Sequence, residues 1–182
     1  MPNRPGIATP TLWTVGYGAW PTPVRAERLV ASLVARGVTR LVDVRLNPCS
    51  SDVNEGRYGP KPWTLQTGQA GIVGILNAAG IAYEWLVELG NPQRHDKAMT
   101  VLRAHLADHA ADWPVHRGLD RLEALVGSQR AVVSLLCACA DVRVCHRWLI
   151  ARALAARRNA SGLVIRDVRT GQEIPPPQGA VL

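Results

Sequence analysis

The chain has 182 residues, 47% hydrophobic and 19% charged, which fits one globular domain with a sizeable core. Its formal charge is +7, and all but Lys61 and Lys97 of the 21 basic residues are Arg. No apolar run approaches the roughly 20 residues that span a bilayer, and the N-terminus lacks the apolar core of a secretory signal. These features exclude a membrane-spanning protein, and we expect a cytoplasmic one with reduced cysteines.

The first quarter of the chain has the pattern of a strand–helix–strand unit. An irregular arm at residues 1–11 precedes a strand at 12–17. A Thr-Pro pair at 22–23 suits a helix N-terminus, and Gly37 suits the end of that helix. A second, apolar strand follows at 39–44. We therefore expect a pair of parallel strands joined by a right-handed crossover.

The middle of the chain begins with a long polar segment rich in Pro and Gly, at 45–67. A loop of this length in a compact domain is usually functional or mobile. A weak helix follows at 72–79, because two glycines lower its propensity, and then a strand at 82–89. Apolar residues at helical spacing predict further helices at 97–111 and 115–126.

The last part of the chain repeats the alternation, with strands at 131–136 and 163–168 and a helix at 145–157 between them. A Pro-rich tail occupies 171–182. The alternation predicts a single α/β domain at 12–170, with a mostly parallel sheet of about five strands covered by helices on both faces. Ligands of such sheets bind beyond the carboxyl ends of the strands. We therefore expect Tyr17, Arg45, Gly90 and Cys137 at one edge.

Four motifs resemble, in order and spacing, the domain of unknown function 488 family. They are TVGYG at 14–18, LVDVRLNPCSS at 41–51, GIAYEWLVELG at 80–90 and LLCACADVRVCHRWLIARAL at 135–154. The resemblance extends over about residues 12–168 and implies an α/β fold. It also implies a candidate site of Gly16, Tyr17, Asp43, Arg45, Pro48, Ser50, Tyr83, Leu89, Gly90, Cys137, Cys145, His146 and Arg147.

The chain departs from that family pattern at Cys139, where the family usually has Glu. A carboxylate has become a thiol, which puts any family role of the Glu in doubt and favours thiol chemistry. A weaker likeness to the rhodanese-type sulfurtransferases lies in Asp43-Val44-Arg45 and Cys137, so the sheet is expected to be Rossmann-like or rhodanese-like. Cys137 and Arg143 also have the C-x5-R spacing of Cys-dependent phosphatases, but the loop lacks the usual glycines.

Cys137, Cys145 and His146 are the predicted catalytic residues. Cys137 ends a strand, and Cys145 and His146 begin a helix, where the helix dipole and nearby Arg side chains lower a thiol pKa. A thiolate there can attack an electrophile, and an imidazole can move a proton near neutral pH. The predicted substrate-binding residues are Tyr17, Asp43, Arg45, Ser50, Arg143 and Arg147.

Asp43 and Arg45 lie two residues apart on a strand and so share a face. Two interpretations stay open: the pair forms a buried ion pair, or Arg45 reaches an anionic substrate. The Arg excess favours an anionic partner such as a phosphate, a nucleotide or nucleic acid, with a merely basic surface as the plain alternative. We predict a thiol-dependent transferase or hydrolase that acts on a small anionic or nucleotide-like molecule.

No cofactor is favoured. A zinc or iron site is the alternative, with Cys137, Cys139, Cys145 and His146 as the ligands. Against it, adjacent Cys and His residues in a helix point about 100° apart. A further alternative is a nucleic-acid-binding module in which the basic groups contact phosphates and the cysteines are structural.

Overall fold

Five strands form one sheet in the computed structural model, which describes residues 9–46, 72–93, 96–128, 130–158 and 162–175. They are β1 (Thr11–Gly16), β2 (Arg40–Asp43), β3 (Ala82–Trp85), β4 (Val133–Cys137) and β5 (Val164–Asp167). Every pairing between these strands is parallel, and their spatial order is β3-β2-β4-β1-β5. The predicted single α/β domain with a mostly parallel, Rossmann-like sheet is confirmed.

The central strand is β4, which pairs with β1 on one side and with β2 on the other. All five of its residues are buried. A strand that is apolar along its whole length is stable only where both of its faces are covered, which favours the middle of the sheet. The predicted parallel arrangement of β1 and β2 is confirmed, and β4 lies between the two strands.

Helices cover both faces of the sheet, as predicted. They are α1 (Arg25–Ala35), α2 (Ile72–Ala78), α3 (Thr100–Ala107), α4 (Pro114–Gly127) and α5 (His146–Arg157). One apolar cluster joins α1 and α2 to the sheet face that carries Leu41, and a second joins α3, α4 and α5 to the face that carries Val42. Successive side chains of a strand point to opposite faces, so Leu41 and Val42, which are adjacent in the chain, pack in different cores.

Two predicted helices begin later than expected. Residues Thr22–Val24 form a 3-10 turn, so α1 begins at Arg25; the side chain of Thr22 lies outside the described residues. The helix predicted from residue 97 begins at Thr100 because Met99 has a left-handed backbone conformation, with a φ of 57°. The Asp96 carboxylate accepts hydrogen bonds from the backbone nitrogens of Ala98, at 3.0 Å, and Thr100.

The third strand is shorter than predicted, because a 3-10 turn at Val87–Leu89 follows β3. The predicted tail at 171–182 is anchored at its start: Glu173 forms an antiparallel bridge with Arg166, and Ile174 packs against the core. Of the predicted long loop, residues 47–67 lie outside the described residues. No helix in the described segments is both long and apolar enough to cross a membrane.

Candidate active site at the carboxyl edge of the sheet

The carboxyl ends of the central strands bring the predicted site residues together. Gly16 pairs with Cys137 across β1 and β4, and Nη1 of Arg45 lies 3.1 Å from the Tyr17 hydroxyl oxygen. Gly90 lies against Leu46, since a Cβ at position 90 would be 2.8 Å from the Leu46 Cα. The predicted gathering of Tyr17, Arg45, Gly90 and Cys137 at one edge is confirmed, because all strands of this sheet end in the same direction.

Three cysteines form a compact cluster at this edge. The sulfurs of Cys137, Cys139 and Cys145 all lie within 4.8 Å of one another, and 4.0 Å separates Cys137 from Cys139. Cys137 and Cys145 are buried, with 3% and 1% of their surfaces exposed, whereas Cys139 is exposed. The cluster therefore reaches the protein surface through Cys139.

The imidazole of His146 faces two of these sulfurs. Its Nδ1 lies 3.7 Å from the Cys137 sulfur and 3.9 Å from the Cys145 sulfur. On the other side of the ring, Nε2 lies 2.6 Å from the Val44 carbonyl oxygen. A carbonyl oxygen only accepts, so Nε2 carries a hydrogen and the neutral ring has its lone pair on Nδ1. The main chain after β2 thus orients the basic nitrogen toward the thiols.

The start of α5 explains how adjacent residues reach one cluster. Cys145 is the N-cap residue and has an extended backbone, with φ and ψ of −117° and 142°, whereas His146 is the first helical residue. The argument that Cys145 and His146 diverge by 100° assumed that both were helical, and it is wrong for that reason. The change of backbone conformation between them directs both side chains to Cys137.

Hydrogen bonds set the protonation of the cluster. The pKa of Cys137 lies well below its usual value. The thiols of Cys139 and Cys145 lower this pKa by hydrogen bonding, and His146 lowers it by its hydrogen bond and its charge, although burial raises it. Contact with Cys137 raises the pKa of both Cys139 and Cys145. Burial lowers the pKa of His146, but the Cys137 sulfur and the Val44 carbonyl together raise it above its usual value. These directions favour one thiolate at Cys137, two thiols and a protonated imidazole.

Arg147 supports the loop that carries Cys139. Its side chain is fully buried, and its Nη1 and Nη2 donate to the carbonyl oxygens of Cys139, at 2.7 Å, and Ala140, at 3.4 Å. No carboxylate of the described segments pairs with this guanidinium, and its Nε has no partner there. Arg147 therefore binds the main chain of the loop that follows β4, and its positive charge lies beside the cysteine cluster.

Gly16 makes room for this arrangement. A Cβ there would collide with the Cys139 carbonyl oxygen and come within 2.6 Å and 2.9 Å of the guanidinium nitrogens of Arg147. The end of β1 must therefore be a glycine for the Cys139 loop to approach the sheet closely.

A second polar cluster occupies the other face of the same edge. The Asp43 carboxylate accepts hydrogen bonds from the backbone nitrogen and Nε of Arg45, both at 2.9 Å, and from the Tyr83 hydroxyl at 2.7 Å. The indole nitrogen of Trp85 donates to the Arg45 carbonyl oxygen at 2.8 Å. Of the two interpretations left open for Asp43 and Arg45, the structure shows the buried ion pair.

Arg143 is the remaining predicted binding residue that the structure describes. Arg143 is exposed in the turn before α5, where its backbone nitrogen donates to Asp141 at 2.8 Å. Ser50 and Pro48 lie outside the described residues. Sequence reasoning missed the Val44 carbonyl, because a main-chain acceptor has no residue-type signal, and it did not predict the hydrogen bond of Trp85.

The cysteine cluster lies within a segment that matches a known family. The family model described as "Domain of unknown function DUF488" matches residues 62–154, just over half of the chain. The chain belongs to the DUF488 family. The DUF488 match includes all of the cysteine cluster, His146 and Arg147, whereas β1 and β2, with Tyr17, Asp43 and Arg45, precede it. No curated protein and no solved structure matches the chain, so the likeness to rhodanese-type enzymes has no support from these comparisons.

Proposed function

We propose that this protein is a thiol-dependent enzyme in which Cys137 is the nucleophile and His146 carries its proton. The observation that carries the proposal is the distance of 3.7 Å between the Cys137 sulfur and Nδ1 of His146, in a ring whose Nε2 is bound to the Val44 carbonyl. A nucleophile, a base within reach and a third group that orients the base form the arrangement that activates catalytic cysteines and serines.

The surroundings support an ionised nucleophile. The thiolate of Cys137 receives hydrogen bonds from two thiols, and the buried charge of Arg147 adds to the positive potential. In an acyl, alkyl or phosphoryl transfer, a bond forms from the Cys137 sulfur to the electrophilic centre. The bond to the leaving group breaks, and the leaving group takes the proton from Nδ1 of His146.

The substrate class remains the one that the sequence predicts, a small anionic or nucleotide-like molecule. The exposed side of the cluster, at Cys139, is the route of approach. The exposed guanidinium of Arg143 makes no ion pair within the described segments and is the group that we assign to an anionic substituent. Arg45 and Arg147 are bound to protein groups, so they shape the site instead.

Alkylation with iodoacetamide tests the nucleophile. We expect Cys137 to be modified at pH 6 to 7, where an ordinary thiol, with a pKa of about 8.5, is almost wholly protonated. A thiol whose pKa is lowered keeps its thiolate as the pH falls toward that lower pKa, so the rate should stay nearly constant down to it. The measurement is the rate of labelling of the Cys137 peptide as a function of pH.

Two variants make the alkylation experiment specific. His146→Asn should lower the Cys137 labelling rate at pH 6 to 7 by about tenfold or more, since a thiol whose pKa lies one unit above the pH keeps only about a tenth of its thiolate. His116→Asn is the matched control: it changes an imidazole that contacts Arg157 at the opposite end of α5, so it should leave the rate unchanged. Labelling confined to Cys139, or a Cys137 rate that rises with pH like that of an ordinary thiol, would refute the proposal.

A metal site is the second candidate, because three sulfurs lie within 4.8 Å of one another beside an imidazole nitrogen. Three thiolates and one imidazole are a common donor set of structural zinc sites, and a ligating His typically donates its other N–H to a carbonyl, as His146 does. The residues fit zinc better than iron. Cys137, Cys139, Cys145 and His146 would then hold the ion, which would stabilise the loop between β4 and α5.

Elemental analysis tests the metal site. If it is correct, the full chain purified with zinc should retain about one zinc per chain after dialysis, and Cys137 should resist iodoacetamide until a strong chelator is added. Cys145→Ser should abolish retention, whereas His116→Asn, at the opposite end of α5, should not. A chain that holds no zinc, cobalt or iron under these conditions while Cys137 alkylates freely excludes this candidate.

A further inference from the structure

We propose that Cys137 and Cys139 form a reversible disulfide when the reduced protein meets a small hydroperoxide, with Cys137 as the attacking and Cys139 as the resolving thiol. This inference rests on the proposed nucleophilic role of Cys137 and extends the site to two-electron redox chemistry. It does not depend on which other electrophile the enzyme uses.

The geometry of the two sulfurs is the first argument. They lie 4.0 Å apart, and a disulfide needs about 2.0 Å, so side-chain rotation has to bring them closer. Cys139 is exposed and lies in an irregular turn, so its side chain rotates without disturbing the core. Cys139 is therefore suited to move toward a partner that β4 holds in place.

The third sulfur is less suited to this role. Cys145 has 1% of its surface exposed, and its sulfur lies 3.9 Å from the His146 ring. It is also the N-cap of α5, so that a displacement of Cys145 disturbs the start of a twelve-residue helix. Oxidation should therefore join Cys137 to Cys139 and leave Cys145 as a thiol.

The burial of Cys137 restricts the oxidant. With 3% of the Cys137 surface exposed, a small oxidant such as a hydroperoxide is favoured. The buried guanidinium of Arg147, which donates to the Cys139 carbonyl oxygen, adds positive charge next to the sulfurs. Positive charge there favours the departure of an anionic leaving group.

The chemistry balances in two steps. The Cys137 thiolate attacks one peroxide oxygen, so that an S–O bond forms and the O–O bond breaks. The departing alkoxide, or hydroxide when the oxidant is hydrogen peroxide, takes the proton from Nδ1 of His146 to become an alcohol or water. The sulfur of Cys139 then attacks the sulfenic acid, so that an S–S bond forms, the S–O bond breaks and the departing hydroxide takes the Cys139 proton to become water. The two sulfurs lose two electrons in total, the peroxide gains them, and an external dithiol restores both thiols.

The test is a mass measurement on the full chain carrying Cys49→Ser, reduced, freed of metal with a chelator and treated with one equivalent of hydrogen peroxide. We expect the peptide that contains Cys137 and Cys139 to lose the mass of two hydrogen atoms and to regain it with dithiothreitol. With Cys145→Ser added, the disulfide between Cys137 and Cys139 should still form, because that bond does not involve the Cys145 sulfur. Adding Cys139→Ser should instead leave a sulfenic acid at Cys137 that dimedone traps.

Two outcomes would overturn the inference. One is a disulfide that still forms in Cys137→Ser, and the other is a wild-type product in which Cys137 is oxidised to acids without any disulfide to Cys139. Iodoacetamide labelling of the same samples separates this failure from that of the proposed function. If iodoacetamide labels Cys137 as a thiolate but no disulfide forms, only the redox inference fails. If Cys137 does not react with iodoacetamide, both the redox inference and the proposed function fail.

Discussion

At the scale of single residues, the Asp43 carboxylate is the most consequential buried charge that the structure describes. It has no exposed surface, and its ion-pair partner Arg45 has only 6% exposed. Removing one member of a buried pair leaves the other charge uncompensated, which typically costs about 3–5 kcal/mol. We therefore predict that Asp43→Asn lowers the free energy of unfolding by that amount, measured by urea denaturation.

A surface ion pair on the neighbouring strand is the matched control. Glu84 pairs with Arg40 at 3.0 Å and with Arg121 at 3.2 Å, and the three side chains are 22%, 34% and 50% exposed. Exposed pairs contribute about 1 kcal/mol or less, so Glu84→Gln should have a small effect. If Asp43→Asn loses no more stability than Glu84→Gln, the Asp43–Arg45 pair does not stabilise the fold in the way that its burial implies.

The sequence predicted part of this residue-scale picture. Strand spacing placed Asp43 and Arg45 on one face, which is correct, but it did not decide between an ion pair and an anion site. The decision depends on Tyr17 and Tyr83, whose hydroxyls lie 28 and 40 residues away along the chain from the groups that they contact. Contacts over such distances follow from the tertiary arrangement, which a single sequence does not specify.

At the scale of elements, periodicity predicted the helices and strands well and their ends less well. The helix at 145–157 was predicted to within one residue of α5. That one residue mattered, because the extended conformation of Cys145 brings its sulfur to the cluster. Helix periodicity carries no information on the backbone of the N-cap, so the sequence indicated which residues belong to the site but not how they converge.

The spatial order of the strands in the sheet could not be predicted from the hydrophobic pattern of the individual segments. The apolar run at β4 predicted a buried strand, and β4 is buried along its whole length. Its place between β1 and β2 sets the site, because it puts Cys137 beside Gly16 and brings the end of β2 within reach of His146. Local periodicity identifies a strand, whereas its neighbours are chosen by packing across the whole sheet.

At the scale of the whole molecule, the candidate site lies at the edge where both cores meet. Asp43 shares its sheet face with Leu41 of one apolar cluster, and Cys137 shares the opposite face with Leu135 of the other. The Val44 carbonyl, which binds His146, follows Asp43 directly in the chain. Unfolding of either core therefore disrupts the site, and the stability of the fold and the integrity of the site should change together.

Alkaline pH offers a test of this connection through Tyr83. Burial raises the pKa of Tyr83, and the adjacent Asp43 carboxylate raises it further. Below the pKa of an unfolded tyrosine, about 10, the phenol is neutral in both states and its contribution is intact. Above it, the unfolded chain releases a proton that the folded protein keeps, so the free energy of unfolding falls with pH, by up to about 1.4 kcal/mol per pH unit.

Tyr83→Phe isolates this contribution, since phenylalanine does not ionise. Urea denaturation of both proteins at several values from about pH 9 to 11 should give a shallower decline for the variant than for the wild type. The thiols and Tyr17 titrate in both proteins, so the difference between the two slopes reports Tyr83 alone. Parallel slopes would show that the Tyr83 hydroxyl ionises in the folded protein as it does in the unfolded chain. Its hydrogen bond to Asp43 would then add nothing to the stability of the folded state at alkaline pH.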